Sequence, residues 1–271
     1  MRGKLARVAS SHFRFDPGSS GCDTEPVNSP IPVAFNWSGG KDSAHALGRL
    51  LADDRYELRC LVTTVHGDQP ASTVHEVPLW LLQAQADAIG VPLRQVQLAG
   101  SGLGDYFEKM SAFAIELADD GVRAVAFGDL EFSGALTHRE QLFNPVGLEV
   151  IEPLWKLSSA EAMDQFLASG IDARIVVVDA SVLDQSWLGR RIDRKFVGDL
   201  PPGVDPCGEY GEYHSFVTSA PYFRHEVPLA ATGAKFLERQ IGTREGAKTF
   251  GYWILGLQCQ PDESATTEIG H

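Results

Sequence analysis

The first half of the chain repeats one pattern, a short apolar run followed by a longer stretch in which apolar residues recur every three or four positions. The short runs are rich in β-branched and aliphatic residues and predict buried strands, at residues 33–37, 58–65, 91–98 and 122–127. The longer stretches predict amphipathic helices, at 41–53, at 79–89 before Gly90, and from a cap at Asp105 through Leu117. This order predicts an α/β fold with a parallel sheet, helices on both faces and one ligand-binding edge.

The pattern is less regular after Asp129. Ser158 and Glu161 have the spacing of a capping box and predict a helix to Ser169. The other predicted elements are a helix from Ser133 to about Leu142, strands at 148–151 and 173–178, a helix from Leu183 to about Val197, and β-like runs from Tyr213 to Leu257. We therefore expect a flexible leader at 1–30, a first domain at 31–150, a smaller α+β domain at 151–260 and a frayed tail at 261–271.

One stretch stands out directly after the first predicted strand. It reads Ser38-Gly39-Gly40-Lys41-Asp42-Ser43 and is called the phosphate loop below. Adjacent glycines allow a tight turn and a close approach of the main chain to a ligand. The first amides of the following helix lack partners within the helix, and the helix dipole adds positive potential there. With Lys41 as a mobile cation and two serine hydroxyls, the loop predicts a site for phosphate groups.

The phosphate loop differs from the two commonest nucleotide-binding loops. A Walker loop needs Ser or Thr after its lysine and an earlier glycine, but Asp42 follows Lys41, and Phe35 occupies that glycine position. The Gly-x-Gly-x-x-Gly fingerprint is absent as well. The loop instead resembles the S-G-G-x-D-S loop of the PP-loop ATP pyrophosphatases, also called N-type, in the adenine nucleotide alpha-hydrolase-like superfamily. The resemblance implies that residues 31–150 bind ATP and that ATP is cut between its α and β phosphates, leaving an adenylate and pyrophosphate.

A second dense stretch holds three carboxylates, a thiol and an imidazole within residues 205–216. By composition alone, a surface turn with solvated acids is the simpler interpretation. However, residues 203–216 resemble the G-x-x-P-C-G-E-x-G-E-[YF]-x-[ST]-F segment of the diphthine–ammonia ligase family. Residues 153–155 (Pro-Leu-Trp) and 183–190 match as well, the latter resembling L-D-x-S-[WF]-x-G-R.

This resemblance extends from about residue 32 to residue 225 and implies a HUP-type, Rossmann-like ATP domain followed by a smaller α+β domain. Family members of known activity use ATP to activate the carboxylate of diphthine, on a histidine of elongation factor 2. Ammonia then displaces AMP and leaves an amide. The resemblance therefore implies an ATP-dependent carbon–nitrogen ligase with ATP and Mg²⁺ as cofactors. Its expected partners are ammonia and a carboxylate-bearing acceptor, either a small molecule or a protein side chain.

Two segments depart from the branches that modify elongation factor 2. Those branches resemble S-Y-M-[FW]-H-T before the second helix, whereas residues 71–77 lack the Tyr-Met pair. They also resemble A-I-x-S after the fourth strand, where this chain has residues 128–131, Gly-Asp-Leu-Glu. In both segments the chain resembles another branch of the family, whose substrate is not settled. The identity of the acceptor is therefore left open.

The resemblance also implies roles for individual residues. The β and γ phosphates are expected to bind Ser38, Gly39, Gly40, Lys41, Asp42 and Ser43, with Lys41 and Asp42 catalytic. Asp42 is expected either to orient Mg²⁺ or to cap the helix. The main chain at Val62 and Thr63 is expected to hold adenine, and Gly128 and Asp129 to contact ribose or metal. The expected substrate contacts are Glu209, Gly211, Glu212, His214 and His75. For His75 a phosphate contact is left open as well, and loop packing is the alternative to both.

Composition limits the partners and the cellular compartment that we expect for this protein. The 271 residues carry a formal charge of −13, which argues against a nucleic-acid partner, and no apolar run reaches the length of a membrane span. The four cysteines are scattered without a C-x-x-C pair, which favours a reducing compartment, so we expect a cytoplasmic protein without membrane contact. Cys207 is expected to be a structural thiol, since no activating base is near it in sequence. A homodimer is left open.

Two other functions are compatible with a PP-loop domain. A PP-loop tRNA-modifying enzyme would be expected to have a basic RNA-binding surface and often a cysteine pair, and this chain has neither pattern. A non-catalytic adenine-nucleotide-binding protein would bind ATP tightly without turning it over.

Overall fold

The first half of the chain builds a parallel sheet. A computed structural model describes residues 29–66, 77–99, 103–130, 135–243 and 246–258. The strands are β1 (Ile31–Asn36), β2 (Tyr56–His66), β3 (Leu93–Leu98), β4 (Ala124–Ala126) and β5 (Glu149–Ile151). Their order is β3-β2-β1-β4-β5, and all neighbours are parallel. From β1 the chain adds β2 and β3 on one side and then crosses over to add β4 and β5 on the other side. Ligands bind at such a switch point, here between β1 and β4, in folds of this kind.

Helices cover both faces of this sheet, as the sequence predicted. They are α1 (Lys41–Leu51), α2 (Leu79–Ile89), α3 (Leu103–Asp119) and α4 (Ala135–Phe143). Apolar side chains of α1 and α2 share one buried cluster with Val33 and Phe35, whereas those of α3 and α4 share another with Ala34 and Val62. Neighbouring residues of β1 therefore face opposite helix layers, because successive side chains of a strand point to opposite faces.

Two predicted helix boundaries can be compared directly with the structure. Gly90 has φ of 88° and closes α2, which confirms the predicted end of that helix. The predicted cap at Asp105 is wrong, because α3 already begins at Leu103 and Asp105 lies within its first turn.

The second half forms a smaller α+β unit. Its elements are α5 (Ser159–Ala168), β6 (Asp172–Asp179), α6 (Arg194–Asp199), β7 (Tyr213–Ser219), β8 (Ala230–Thr243) and β9 (Gly246–Gln258). The strands form an antiparallel sheet in the order β7-β6-β9-β8. The predicted capping box is confirmed: Ser158 Oγ accepts from the Glu161 amide, and the Glu161 carboxylate accepts from the Ser158 amide.

The single helix predicted from Leu183 to about Val197 is wrong. A one-turn 3-10 helix at residues 185–187 is capped by Asp184, and Asp193 caps the short α6. Between them, residues 189–192 run beside β6, where the Gly189 amide donates to the Ile175 carbonyl and the Ile175 amide donates to the Arg190 carbonyl. Backbone pairing with β6 therefore replaces the helical bonds that the sequence pattern suggested.

The two units share a core. The cluster that contains Phe35 and Leu81 also contains Phe166 of α5, Val176 of β6 and Phe216 of β7. The second unit thus packs on the α1 and α2 side of the parallel sheet, which brings β7 beside the start of α1. A domain boundary near residue 150 stays a prediction. Within the described ranges, no helix has both the length and the apolar character needed to cross a membrane.

Candidate active site

The phosphate loop connects β1 to α1, and its two glycines fix its shape. Gly39 has φ of 80°, a left-handed conformation that favours glycine. A Cβ atom there would lie 2.6 Å from Leu82 Cδ2 and 2.8 Å from Gln85 Oε1. A Cβ atom on Gly40 would lie 3.1 Å from the carbonyl oxygen of Ser215. The loop is therefore packed so closely against α2 and β7 that larger residues at these positions would displace it.

The hydroxyl groups of the loop bind within the loop itself. Ser38 Oγ lies 2.9 Å from Ser43 Oγ and accepts from the Gly40 amide at 3.3 Å, and Ser43 Oγ donates to the Gly40 carbonyl. In the first turn of α1, the amides of Asp42 and Ser43 have no hydrogen-bond partner among the residues that the structure describes. These N–H groups at the positive end of the helix are where an anion would bind, so phosphate binding here stays a prediction with geometric support.

Lys41 is held in place instead of moving freely. Its side chain is 3% exposed, and Nζ donates to both carboxylate oxygens of Asp42, at 2.9 and 2.7 Å, and to the carbonyl of Cys207. Nζ also lies 5.4 Å from the centroid of the Tyr213 ring. Burial opposes the charge, but Asp42, Tyr213 and Cys207 together outweigh it and raise the pKa of Lys41 above its usual value. Lys41 is thus a charged link between the phosphate loop and the second unit.

Asp42 does not cap α1. Gly40 occupies the N-cap position and no side chain bonds to the cap, so the capping alternative for Asp42 is wrong. Asp42 lies in the first turn, where its negative charge favours the helix dipole, and its side chain is 35% exposed. Within the part of the chain that the structure describes, no group of three or more Asp, Glu, His or Cys side chains could hold a metal ion.

The free edge of β7 closes one side of the phosphate loop. The Val217 amide donates to the Gly39 carbonyl at 2.9 Å. The Lys41 amide donates to Ser215 Oγ at 3.1 Å. Since β7 lies at the edge of its sheet, the first bond satisfies a backbone amide that the sheet leaves unpaired, and both bonds attach the second unit directly to the loop.

Gln85 of α2 completes this attachment. It is fully buried, and Nε2 donates to the Gly39 carbonyl at 3.1 Å and to the Val217 carbonyl at 2.7 Å. Its Oε1 accepts from Trp37 Nε1 at 2.9 Å. One amide side chain therefore joins the end of β1, the phosphate loop and β7.

The acidic turn, residues 205–212, is shaped by Glu212. That side chain is buried, and its two oxygens accept from the amides of Asp205 and Tyr210, each at 3.0 Å. Gly211 has φ of 87°, a left-handed conformation that favours glycine, so its role is to allow this backbone shape in the turn. The structure therefore gives Glu212 and Gly211 a role in holding the turn, different from the substrate contact expected from the sequence.

Glu209, in the acidic turn, is a carboxylate with a raised pKa. Burial of the carboxylate and the negative charge of Asp42 raise the pKa of Glu209 to about 7, against the opposing charge of Lys41. Asp129 adds to the same shift from the far side of the loop. Glu209 is thus close to the phosphate loop and able to exchange a proton near neutral pH.

The segment of residues 203–216 also contains His214 and Cys207. His214 follows Tyr213 and precedes Ser215 on β7, so its side chain projects from the opposite face of the strand. A substrate contact of His214 stays a prediction. Cys207 is buried and its Sγ donates to the Ser159 carbonyl at 3.2 Å. Burial raises the pKa of Cys207 to about 12, which fits the expected structural thiol.

Gly128 and Asp129 lie beyond β4, at the same sheet edge. A Cβ atom on Gly128 would lie 2.6 Å from Ser43 Cα and 2.9 Å from the Ser43 amide nitrogen, so this glycine allows the chain to pass against the start of α1. Asp129 Oδ2 accepts from Arg139 Nη2 at 2.7 Å. Contacts of these two residues with ribose or metal stay predictions.

The expected adenine contacts lie within the sheet. Val62 and Thr63 are buried in β2, and the Val62 carbonyl accepts from the Trp37 amide at 2.7 Å. Thr63 pairs with Gln95 of β3. A role for their main chain in holding adenine stays a prediction. His75 lies outside the described residues.

Sequence reasoning missed Gln85, Ser215 and Arg139 as parts of this site. Gln85 is a polar residue at a fully buried helix position, a pattern that predicts a required hydrogen-bonding role. Ser215 lies inside the recognised motif without an assigned role. Arg139 has no sequence signal, because its partners Asp129 and Glu152 come from two other segments.

Cavities occur elsewhere on the molecule too. One of about 740 Å³ is lined by residues of β3 and α3, including Gln97 and Phe113, and another of about 300 Å³ lies between His45 and Tyr222. Neither contains a residue of the phosphate loop or of the acidic turn. Geometry at the loop, not cavity size, therefore identifies the candidate site.

Comparison with known proteins gives a consistent result. Residues 31–150 match the family model described as diphthamide synthase N-terminal domain, and residues 158–245 match that of the diphthamide synthase C-terminal domain. A diphthine–ammonia ligase of Rattus norvegicus is 25% identical over 229 residues, which cover 74% of this chain and 84% of that protein. The Homo sapiens protein of the same name is 24% identical over 217 residues, covering 72% and 81%. With both domain models matched in order over most of its length, the chain belongs to the diphthine–ammonia ligase family.

Proposed function

We propose that this protein is an ATP-dependent carbon–nitrogen ligase that adenylates a carboxylate, releases pyrophosphate and forms an amide with ammonia. The observation that supports this most directly is the phosphate loop: its Asp42 and Ser43 amides have no hydrogen-bond partner in the described part of the chain, and a second unit is attached to its side. The amides provide a place for the phosphates. The acidic turn beside them, which carries Glu209, provides a boundary for the acceptor.

The chemistry requires positioning more than covalent help from the protein. A carboxylate oxygen of the acceptor attacks the α phosphorus of ATP, the bond to the β phosphate breaks, and pyrophosphate leaves into the loop. Ammonia then attacks the acyl carbon and AMP leaves. The charge that develops on the leaving phosphates is balanced by the first-turn amides of α1 and by Lys41, both already in place.

Mg²⁺ is proposed as a companion of ATP and not as a resident ion. Magnesium in nucleotide sites is commonly held by one or two carboxylates together with phosphate oxygens. Asp42, in the first turn beside the anion site, fits the carboxylate part of that set. When bound, the ion would supply positive charge to the phosphates.

The acceptor is proposed to be a carboxylate, with diphthine on elongation factor 2 as the first one to test because the relatives carry that name. The protein would be incubated with ATP, Mg²⁺, ammonium chloride and elongation factor 2 that carries diphthine, and then with a panel of small carboxylates. We expect AMP and pyrophosphate to form only when both an acceptor and ammonium are present. Release of ADP and phosphate, release that depends on tRNA, or tight ATP binding without turnover would contradict the proposal.

A substitution links this activity to the loop. Lys41→Met retains most of the buried stem but removes the cation that contacts Asp42 and the Cys207 carbonyl. We expect turnover to fall at least tenfold, because the leaving phosphates lose a balancing charge. The matched control is Lys195→Met, at an exposed site on α6 whose side chain is 77% exposed, and it should turn over ATP like the wild type. Equal rates for Lys41→Met and the wild type would show that the loop is wrongly assigned.

A further inference from the structure

Glu152 has a buried carboxylate oxygen that receives no hydrogen bond from any described residue. The residue follows β5, at the edge of the parallel sheet where the phosphate loop also lies. Its side chain is 3% exposed, and Oε1 accepts from Arg139 Nη1 at 2.6 Å. The second oxygen, Oε2, is buried and has no hydrogen-bond partner among the described residues. Arg139 thus holds one oxygen of this carboxylate, and the other oxygen receives no hydrogen bond from the described residues.

Arg139 holds this carboxylate in position. Its guanidinium also binds Asp129 Oδ2 at 2.7 Å and lies 4.0 Å from the centroid of the Phe127 ring. The guanidinium therefore contacts two carboxylates and one aromatic face, which fixes its plane. Two negative charges face one positive charge, so the group as a whole is expected to attract a cation.

Nearby backbone groups do not satisfy the open oxygen. The next residue, Pro153, has no N–H to donate, and the Trp155 amide donates to the main-chain carbonyl of Glu152. Burial raises the pKa of Glu152 even though Arg139 opposes the shift. An unpaired buried acceptor destabilises the folded protein, and a bound donor would remove that cost.

We infer that Oε2 of Glu152 is a binding site for ammonium, the nitrogen donor of the ligation. The inference rests on the proposed function, because a ligase of this kind must collect a small cation with N–H donors. Ammonium is a small cation at neutral pH and can donate hydrogen bonds through its N–H groups in every direction. Asp129, the other partner of Arg139, lies near enough to Glu209 for its charge to influence that residue. The site is therefore electrostatically continuous with the acidic turn.

The binding is tested without any acceptor, with ammonium chloride as the probe. Thermal midpoints are compared in ammonium, sodium and potassium chloride at equal ionic strength, for wild type, Glu152→Gln and Glu149→Gln. Gln keeps a carbonyl for Arg139 and places an amide where Oε2 was, whereas Glu149 is an exposed residue of β5, the strand that Glu152 follows. We expect ammonium to raise the midpoint above both other salts in wild type and Glu149→Gln, and not in Glu152→Gln.

Two results overturn the inference. One is a wild-type midpoint that is the same in all three salts, which needs no variant to interpret. The other is an ammonium-specific shift that survives in a folded Glu152→Gln protein.

Turnover gives a second readout. With elongation factor 2 that carries diphthine as the acceptor, we expect Glu152→Gln to raise the KM for ammonium at least tenfold and more than the KM for ATP. An equal change in both would overturn the site. If the wild type makes no AMP or pyrophosphate with any acceptor, the proposed function fails, while the salt comparison still decides whether ammonium binds at Glu152.

Discussion

At the scale of single residues, close packing around three glycines restricts the side chains that the phosphate loop and its surroundings can hold. Gly39, Gly40 and Gly128 each face main-chain or buried side-chain atoms at distances that exclude a Cβ atom or require its neighbours to shift. Lys41 and Glu212, which the sequence suggested as ligand contacts, are buried and bonded within the protein. The residues that bind phosphate are therefore expected to act mainly through backbone N–H groups.

Gly128 offers a direct test of this packing. In Gly128→Ala, the new methyl group would lie 2.6 Å from Ser43 Cα, a main-chain atom that cannot yield without moving α1. We expect the unfolding free energy to fall by about 1–3 kcal/mol and ATP affinity to fall with it, measured by urea denaturation and calorimetric titration. Gly198→Ala is the control, because a Cβ atom on that helical residue meets nothing within 4 Å. Similar behaviour of the two variants would contradict the close approach.

Glu209 predicts how stability depends on pH. Its pKa is raised from an ordinary value of 4.5 to about 7 in the folded protein, so the folded state binds the proton more tightly than the unfolded state. This contribution to stability is fully present below about pH 4.5 and is lost as the pH rises through about 7. We therefore expect the wild type to lose more stability than Glu209→Gln between pH 5 and pH 8, measured by urea denaturation. Parallel pH profiles for the two proteins would contradict the crowding of carboxylates at the loop.

At the scale of elements, strand β7 and helix α2 hold the phosphate loop from two sides. The edge of β7 bonds to Gly39 and Lys41, and Gln85 of α2 bonds to Gly39 and Val217. The loop is thus fixed by elements that come from both units. A change in either unit is expected to alter the loop without touching its residues.

Gln85→Leu tests this arrangement. The substitution keeps the volume but leaves the Trp37 N–H and the Val217 carbonyl without their partner in a buried place. We expect a loss of about 3 kcal/mol or more in unfolding free energy, since each orphaned group costs about 1–3 kcal/mol. Gln83→Leu is the control on the same helix, because Gln83 makes a surface bond to Asp87. A loss no larger than that of the control would show that Gln85 does not hold the elements together.

Local patterns predicted the elements well and their distant contacts poorly. The alternation of apolar runs predicted the parallel strands, and the glycine pair predicted the tight turn before α1, because both depend on neighbouring residues. Phosphate binding at that turn stays a prediction. The helix expected over 183–197 was wrong, because pairing with Ile175 on β6 outcompetes helical bonding there. The bonds of Gln85 to Val217 and of Arg139 to Glu152 join segments far apart in sequence, so no local pattern reveals them.

At the scale of the whole molecule, the two units, each with its own sheet, meet beside the phosphate loop. Buried residues of both units form one cluster, and the parallel sheet directs the ends of β1 and β4 toward the acidic turn. A homodimer stays a prediction, and native mass spectrometry at micromolar concentration would decide it.

The most direct test of the central claim is a crystal structure with α,β-methylene-ATP and Mg²⁺. This analogue cannot be cut between its α and β phosphates, so it should remain bound without an acceptor. We expect its β and γ phosphates within hydrogen-bond distance of the Asp42 and Ser43 amides, with the α phosphate facing the acidic turn. An analogue bound elsewhere, for example in the cavity between β3 and α3, or bound with its phosphates away from the loop, would contradict the claim that this loop binds the pyrophosphate of ATP.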